Sequence, residues 1–489
     1  MKKHLIQYMA LVMAIASLGC NKYLEKEPDN RTQLNSPEKV SQLLASAYPA
    51  ANYMAFAEGS TDNVGDRGAG SADNTAMDPF MFRDVRSNNQ DSPEFYWGAC
   101  YKAIASANIA LEAIAKAPDQ QRYAAQKGEA LVARAYAHFM LATFFSKVYD
   151  ETTAASDPGI PYVTEVEDVV VKQYERRTVA YVYEQIEKDL LAGLPLIRDD
   201  VYTVPAYHFT RKAANAFAAR YYLFRKNWDK VIEHTNDMFA TTDVAGLLRP
   251  WNTEYLTMTR LELFADYTRA TRSSNLLLCE TASWYFRQYA IGRYAYDATI
   301  FRQIGINVPV LSAFGRAQWA FAYQSYGGDN TVYIPKLNEY FVRVSVNAEI
   351  GTGYIMAPLF TVEEALFNRA EAMLYKNNTA GAVALLNQYL STRIYNYNPA
   401  DPIHRLTESK ATTIYGGSPA SALLNTVLDL KRAEFIHEGI RWFDILRYNI
   451  PVEHTALNGE VYTLEADDKR RVFQIPESAT LSGVELNPR

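Results

Sequence analysis

The sequence predicts a mainly α-helical protein that also contains one long irregular region. Hydrophobic residues make up 48% of the 489-residue chain, which is enough to form a large packed core. Apolar residues recur at steps of three and four along several long segments, as they do in amphipathic helices. Between residues 250 and 358 this periodicity weakens while tyrosine and glycine become frequent, which favours loops, short helices and small strands.

The chain begins with a segment that has the organisation of a bacterial export signal. Its first residues are basic, Leu5 to Leu18 is mostly apolar, and small residues lead to Cys20. The apolar run is too short to span a bilayer as a stable helix. We predict that residues 1–19 are a lipoprotein signal peptide and that Cys20 is lipidated, although Ser17 stands where such signals usually have Leu. An ordinary signal peptide with a chance cysteine is the alternative.

The remaining chain divides into a tether, two helical regions and the irregular region between them. The tether is polar and rich in turn-forming residues. Inside the first helical region, residues 58–93 contain much Gly, Ser, Asp and Asn, which predicts a surface loop. The predicted segments are the tether over 20–36, the first helical region over 37–240, the loop-rich region over 241–358 and the C-terminal region over 359–489.

Periodicity and capping residues place the individual helices. Ser36 followed by Pro37 predicts a helix start, and that helix runs to about residue 47. Alanine at close-packing positions predicts helix pairs that resemble degenerate tetratricopeptide units, because their period is not strict. The other predicted helices lie at 94–116, 121–147, 178–193, 211–226, 227–239, 361–376 and 379–393, with two more in 420–447 on either side of Gly439.

Charge and cysteine content limit the partners of the protein. The net charge is −6 and no basic run occurs, so binding to nucleic acid has no electrostatic basis. No apolar stretch of membrane-spanning length follows Cys20, so the expected membrane link is the lipid itself. Cys100 and Cys279 could form a disulfide or remain buried thiols, and the usual burial of cysteine favours the thiols.

The sequence carries no recognisable catalytic or metal-binding signature. His437 and Glu438 begin a zinc-protease pattern, but Arg441 occupies the place of the second histidine. The seven His and three Cys residues do not cluster at metal-ligand spacing. The glycine-rich stretch 65–70 follows no clear strand and opens no helix, so it does not indicate a phosphate-binding loop. We therefore expect a protein that is not an enzyme and that needs no cofactor or metal.

The segment from Lys431 to Tyr448 carries the most distinctive pattern, in which charged and apolar side chains alternate closely. Such spacing predicts partly buried ion pairs that fix the angle between two helices, in preference to ligand contacts. We expect similar structural roles for Trp97, as a core aromatic, and for Asn108, as a side chain that bonds a neighbouring backbone. The charged residues of the segment are Arg432, Glu434, Glu438, Arg441, Asp444 and Arg447.

This segment resembles the hallmark of the SusD/RagB family, which comprises outer-membrane lipoproteins of Bacteroidetes. The family hallmark is an Arg-x-Glu start, a Glu-Gly-x-Arg turn and an aromatic-Asp-Leu-x-Arg helix, and Ile445 replaces the Leu here. Further motifs resemble those of the family and occur in the expected order. They are Trp97 to Asn108, Glu129 to Tyr136, Arg369 to Glu371, Phe473 to Glu477, and Asn487 with Pro488.

The resemblance implies a SusD-like fold and a role in nutrient uptake. Its helix pairs would pack against a SusC-type TonB-dependent transporter, and the rest of the protein would form a hinged lid that binds an oligosaccharide or an oligopeptide. Lipid on Cys20 would hold the protein at the extracellular face of the outer membrane. The alternative is a scaffold lipoprotein that uses its helix pairs for protein contacts and has no ligand site.

Candidate ligand residues lie in two loop-rich stretches, a ligand loop over 53–93 and the stretch 250–330. Aromatic faces can stack on sugar C–H groups or peptide side chains, and charged or amide groups can bond hydroxyls. Trp284 and Trp319 are the strongest candidates, because a core role is less evident in loop-rich sequence. The full set is Trp284, Trp319, Tyr285, Arg287, Tyr289, Tyr323, Tyr53, Asp62, Asn63 and Asp73, and for each of them ordinary packing or a solvated loop is an alternative of at least equal weight.

Overall fold

The computed structural model describes residues 34–489, apart from residues 168, 170, 171, 240–242, 326, 327 and 329. Over these residues the protein is mainly helical, as predicted, and its elements share one large hydrophobic core beside a small second cluster. The predicted signal peptide, the lipidation site Cys20 and nearly all of the tether lie outside the described residues, so they stay predictions.

The α-helices account for most of the regular structure. Serine or threonine side chains cap α4, α6, α7 and α13, because their oxygens accept the free backbone N–H groups of the first turn. All helices predicted above are present with bounds within three residues of the expected ones. In chain order the helices are α1 Pro37–Leu44, α2 Met54–Gly59, α3 Asn74–Phe80, α4 Pro93–Lys116, α5 Ala124–Phe145, α6 Val179–Gly193, α7 Arg211–Phe224, α8 Trp228–Asn236, α9 Arg260–Tyr267, α10 Tyr285–Tyr289, α11 Ala298–Ile300, α12 Pro309–Ser312, α13 Val362–Tyr375, α14 Thr379–Ser391, α15 Glu408–Tyr415, α16 Pro419–Glu434 and α17 Ile440–Tyr448.

Consecutive helices pack in pairs, as the sequence predicts. The pairs are α4 with α5, α5 with α6, α7 with α8, α13 with α14, and α15 with α16. Buried alanines such as Ala130, Ala133 and Ala137 on α5 let neighbouring helices approach closely. Helix α13 also contacts α7 and α8, so the two helical regions join across the irregular region.

Short strands occur mainly in the irregular region, as expected. The largest sheet is antiparallel with three strands in the order β2-β7-β6, so β6 forms one edge. Three two-stranded pairs join β1 with β3, β4 with β5, and β8 with β9. The strands are β1 Gly65–Asp66, β2 Asn275–Ala282, β3 Tyr294–Ala295, β4 Gln324–Ser325, β5 Val332–Tyr333, β6 Tyr340–Arg343, β7 Gly351–Thr361, β8 Val452–Thr455 and β9 Val461–Leu464.

The prediction that residues 58–93 form a surface loop is wrong for much of this stretch. The stretch contains α3, and Thr61, Asn63 and Arg67 within it are buried. The Arg67 guanidinium donates to main-chain carbonyls of the irregular region, including those of Tyr296 (2.7 Å) and Gly292 (3.0 Å). The polar residues that suggested solvent exposure instead satisfy main-chain groups inside the protein.

The charges of the C-terminal segment are buried and paired, which confirms the predicted structural role. Arg393 donates to both oxygens of Glu434 (2.7 and 2.9 Å) and to Glu363 (3.1 Å), and Arg249 binds the other Glu363 oxygen at 2.9 Å. Burial alone would raise the pKa of Glu434, but the Arg393 guanidinium outweighs this effect and holds the pKa below its usual value. We call the following residues the buried ion network: Arg249, Lys336, Glu363, Arg393, Glu434 and Glu438.

The same segment is tied to distant parts of the chain. Arg441 binds the Asp62 carboxylate with two bonds of 2.9 Å, and Arg432 binds it at 3.3 Å. Arg447 pairs with Glu371 on α13. These ion pairs therefore connect α16 and α17 to other elements of the fold. The sequence predicted only that they fix the angle between two helices.

The predicted structural roles of Trp97 and Asn108 are also confirmed. Trp97 is buried against Phe145, with ring centroids 4.8 Å apart. The Asn108 amide donates to the carbonyl of Val163 at 3.1 Å and accepts from Arg134 at 2.8 Å. The two cysteines of the described residues are free thiols, as favoured by the sequence argument.

We expect the substitution Glu434→Gln to lower the free energy of unfolding by about 3–5 kcal/mol, because it leaves the buried Arg393 guanidinium without its carboxylate. Urea denaturation of the purified protein measures this change. Glu233→Gln is the control, since its ion pair with Lys230 is exposed and should contribute at most about 1 kcal/mol. Equal effects of the two substitutions would contradict the structural role of the network.

Candidate ligand-binding site

Four of the ten candidate residues lie in the protein core. Tyr53 is 1% exposed, and Tyr285 and Tyr289 are also buried. Trp319 is 7% exposed, stacks on Phe321 at 5.1 Å, and donates its indole N–H to a main-chain carbonyl. Their ring faces are covered by protein, so they do not present the stacking surfaces proposed from the sequence.

Asp62 and Asn63 are engaged by arginines of the C-terminal segment. Burial would raise the pKa of Asp62, but Arg432 and Arg441 outweigh it and hold the pKa below its usual value. The Asn63 side chain is buried and accepts from Arg432 at 2.7 Å. Both residues therefore hold the fold together, and neither offers a free polar group to a ligand.

The remaining candidates are exposed in part, and three of them surround the short helix α10. Trp284 is half-buried at the start of α10, Arg287 is exposed, and Asp73 is half-buried. Tyr323 is 56% exposed and packs against Phe301 at 4.5 Å. Of the two tryptophans favoured by the sequence, only Trp284 keeps an accessible part of its ring.

Trp284 lies on the three-stranded sheet next to a second exposed ring. A Cβ at Gly353 would lie 3.3 Å from the Trp284 indole, and a Cβ at Gly351 would lie 2.8 Å from the Phe341 ring. The two rings therefore lie against the bare backbone of β7, at two glycines that are two residues apart on the same face of the strand. Phe341 is 49% exposed, so the pair forms an aromatic surface at the edge of the sheet.

Charged groups border this aromatic surface. The Arg287 guanidinium lies 5.6 Å from the centre of the Trp284 indole and pairs with Glu339 at 3.0 Å. Glu339 also accepts the backbone N–H of Phe286 at 3.0 Å, which fixes the first turn of α10. We call Trp284, Arg287, Glu339 and Phe341 the Trp284 surface.

The buried carboxyl group of Asp91 fixes the position of the Trp284 backbone. Asp91 accepts the Trp284 backbone N–H at 2.6 Å and the Ser283 hydroxyl at 2.7 Å. Burial raises the pKa of Asp91 to about 7, although these two hydrogen bonds favour the ionised form. Asp73 supports the helix from α3, where it accepts two backbone N–H groups and lies 3.4 Å from the Gln288 amide.

Sequence reasoning missed three residues of this arrangement, namely Phe341, Glu339 and Asp91. The glycines at 351 and 353, which follow an alternating stretch that begins at Tyr340, were a usable signal for Phe341. Glu339 and Asp91 gave no such signal, since only the folded chain brings them to α10. Within the described ranges, no group of three or more His, Cys, Asp or Glu side chains is placed to hold a metal ion.

Several solved structures share this fold. A SusD superfamily protein from Bacteroides vulgatus has a TM-score of 0.68 at 19% identity over 93% of this chain and 99% of its own. One from Bacteroides thetaiotaomicron has the same TM-score and identity, over 93% and 100%. A SusD-like carbohydrate-binding protein from Bacteroides vulgatus has a TM-score of 0.60 at 16% identity, over 92% and 97%. At such identities these likenesses establish the fold.

A SusD-like family model, described as starch-binding and associating with the outer membrane, matches residues 22–223. The N-terminal part of the chain is therefore similar to the SusD-like family, and the chain as a whole has the fold of SusD superfamily proteins. The resemblance drawn from its motifs and the predicted mainly α SusD-like fold are thereby confirmed. No curated protein matches the chain in sequence.

Among the described residues, no helix is both long and apolar enough to cross a membrane.

The raised pKa of Asp91 gives a pH-dependent prediction. Because the folded-state pKa lies near 7 and the unfolded value near 4, ionising Asp91 reduces stability as the pH rises between them. We expect Asp91→Asn to remove this loss. The free energy of unfolding of the variant relative to wild type should rise by up to about 1.4 kcal/mol per pH unit and level off above about pH 7.

Urea denaturation at a series of pH values measures this difference. Asp237→Asn is the control, because that residue is exposed. A difference that stays constant with pH for Asp91→Asn would contradict the account of the carboxyl group.

Proposed function

We propose that this protein binds an oligomeric nutrient on the Trp284 surface and acts as the hinged lid of a SusC-type TonB-dependent transporter. Lipid on Cys20 would hold it at the extracellular face of the outer membrane. The proposal is supported by the order of motifs in the sequence, by the fold, and by a family description that names starch binding and association with the outer membrane.

The observation that carries the proposal is the half-buried Trp284 ring beside the exposed Phe341 ring. Flat apolar rings beside polar groups suit the C–H faces and hydroxyls of a sugar. Arg287 is neutralised by Glu339, so the surface has little net charge to attract an ionic ligand. Between the two ligand classes left open by the sequence, this favours a neutral oligosaccharide over a charged peptide.

The transporter would contact the paired helices. Apolar side chains are exposed on two of them, with Ile109 on α4 and Tyr181 and Leu191 on α6. A lid needs a lasting interface, and lasting interfaces between subunits bury large and mainly apolar areas. These helix faces are therefore our candidates for the transporter interface.

We expect Trp284→Ala to weaken oligosaccharide binding about tenfold, because one aromatic stacking contact contributes about 0.5–1.5 kcal/mol. Calorimetric titration with maltoheptaose measures the affinity, and the melting temperature should stay unchanged. Trp228→Ala is the matched control, since Trp228 is also half-buried but stacks on Tyr375 elsewhere on the surface. Unchanged affinity in Trp284→Ala would exclude this surface as the ligand site. Trp319→Ala should instead lower the melting temperature, because Trp319 is a core residue.

We expect Cys20→Ala to abolish incorporation of labelled fatty acid and to release the protein from the outer-membrane fraction. Metabolic labelling and membrane fractionation of cells that produce each form measure these outcomes. Replacing Ser17 by Leu is the control, because that change restores the usual signal pattern and should leave lipidation intact. A Cys20→Ala protein that still incorporates labelled fatty acid would overturn the lipid anchor.

A further inference from the structure

A pocket of about 660 Å³ opens between α1, the first turn of α5 and the segment 198–208. This volume lies within the range of small-molecule sites, which is roughly 300–1,000 Å³. None of the candidate ligand residues named from the sequence lines it, and neither does any member of the Trp284 surface. The pocket is therefore a separate feature of the fold.

Helix α1 supplies one wall of the pocket because of its residue spacing. Glu38, Ser41, Gln42 and Ala45 lie on one face, at helical steps of three and four. The face is polar, and the opposite face buries Val40 and other apolar residues in the core. The wall of the pocket that α1 supplies therefore presents amide and hydroxyl groups to the pocket.

The second wall contains an aromatic pair held in place from the interior. The Tyr202 ring stacks on the His208 imidazole, with centroids 4.3 Å apart and an angle of 6° between the planes. His208 Nδ1 lies 2.7 Å from the buried Glu129 carboxylate, which also accepts the Tyr48 hydroxyl at 2.7 Å. With Nδ1 bonded to Glu129, Nε2 is the ring nitrogen left to form a hydrogen bond with a ligand hydroxyl.

The charges around the pocket are balanced. Arg198 is paired with Asp200 at 2.7 Å. Arg122 lies close enough to Glu38 to contribute to the lowered pKa of that carboxyl, whose main causes are hydrogen bonds at the helix start. Arg198 is thus neutralised by an ion pair and Arg122 has a carboxylate in its vicinity, so the pocket offers hydrogen bonds without a strong net field. An anionic ligand would gain little, and an apolar ligand would cover the Gln42 amide without bonding it, although the Gln126 amide already donates to the Ser41 hydroxyl at 3.0 Å.

We propose that this pocket is a second binding site, which takes one to three rings of a neutral carbohydrate. Tyr202 supplies an aromatic surface, and His208, Ser41 and Gln42 supply groups that bond sugar hydroxyls. His208 is held before binding by its contact with Glu129, and Tyr202 by stacking on His208, which lowers the entropy lost on binding. The site is independent of the Trp284 surface and does not need that surface to bind sugar.

Maltotriose titrated into the full chain by calorimetry tests the proposal in four forms: wild type, Trp284→Ala, Gln42→Trp and the double variant. Gln42 is exposed and lines the pocket, so tryptophan there fills the space without removing an interior contact. We expect binding to persist in Trp284→Ala and to become at least tenfold weaker when Gln42→Trp is added. Lys127→Trp, at an exposed position of α5 outside the pocket, should have no effect.

Each outcome decides between the two sites. If Trp284→Ala leaves binding unchanged while Gln42→Trp abolishes it, the pocket stands and the proposed function of the Trp284 surface falls. If Trp284→Ala binds no maltotriose, or if Gln42→Trp changes nothing in either background, the pocket proposal is overturned. Tighter binding of glucuronic acid than of maltotriose would overturn the neutral class of ligand. Thr203→Trp blocks the opposite wall and provides a second test should Gln42→Trp fail to fold.

Discussion

The contact of Arg393 with Glu434 and Glu363 is the interaction on which the interior of this protein depends. Arg393 lies just beyond α14, Glu363 on α13 and Glu434 on α16, so one guanidinium fixes three elements at once. The same guanidinium donates to the carbonyl of Arg249, which connects the irregular region to the helices. Because burying unpaired charges is costly, the helices can pack only in the arrangement that pairs all of these groups.

The helices were predictable because their signals are local. Capping residues, helical periodicity and close-packed alanines lie within each segment, and the observed bounds follow them closely. The stretch 58–93 failed for the opposite reason. Its composition is that of a loop, yet Arg67 and Asn63 are buried by partners more than two hundred residues away in sequence. No local pattern reports such a partner, so burial of polar residues could not be read from the sequence.

The candidate site was likewise predictable only where its sequence signals are local. The sequence pointed to the short segment 284–289, and the structure places it at the surface beside Phe341. It could not show that Tyr285 and Tyr289 turn inward while Trp284 stays accessible, because both faces of this short helix carry aromatic residues. Trp319 was misjudged because loop-rich sequence was taken to mean exposure, whereas its strand-like bridge to Ile394 seats the ring in the core.

The link between Asp62 and Arg441 also constrains how the molecule comes into being. These residues are separated by 379 positions, and Glu58 likewise receives the backbone N–H groups of His437 and Gly439. The carboxylates of Glu58 and Asp62 therefore lack these partners until residues 437–441 have been synthesised. Contacts of such long range slow the search for the native state. A chain truncated before residue 432 would leave the Asp62 carboxylate without either of its arginines, so this segment is needed to complete the structure around residues 58–62.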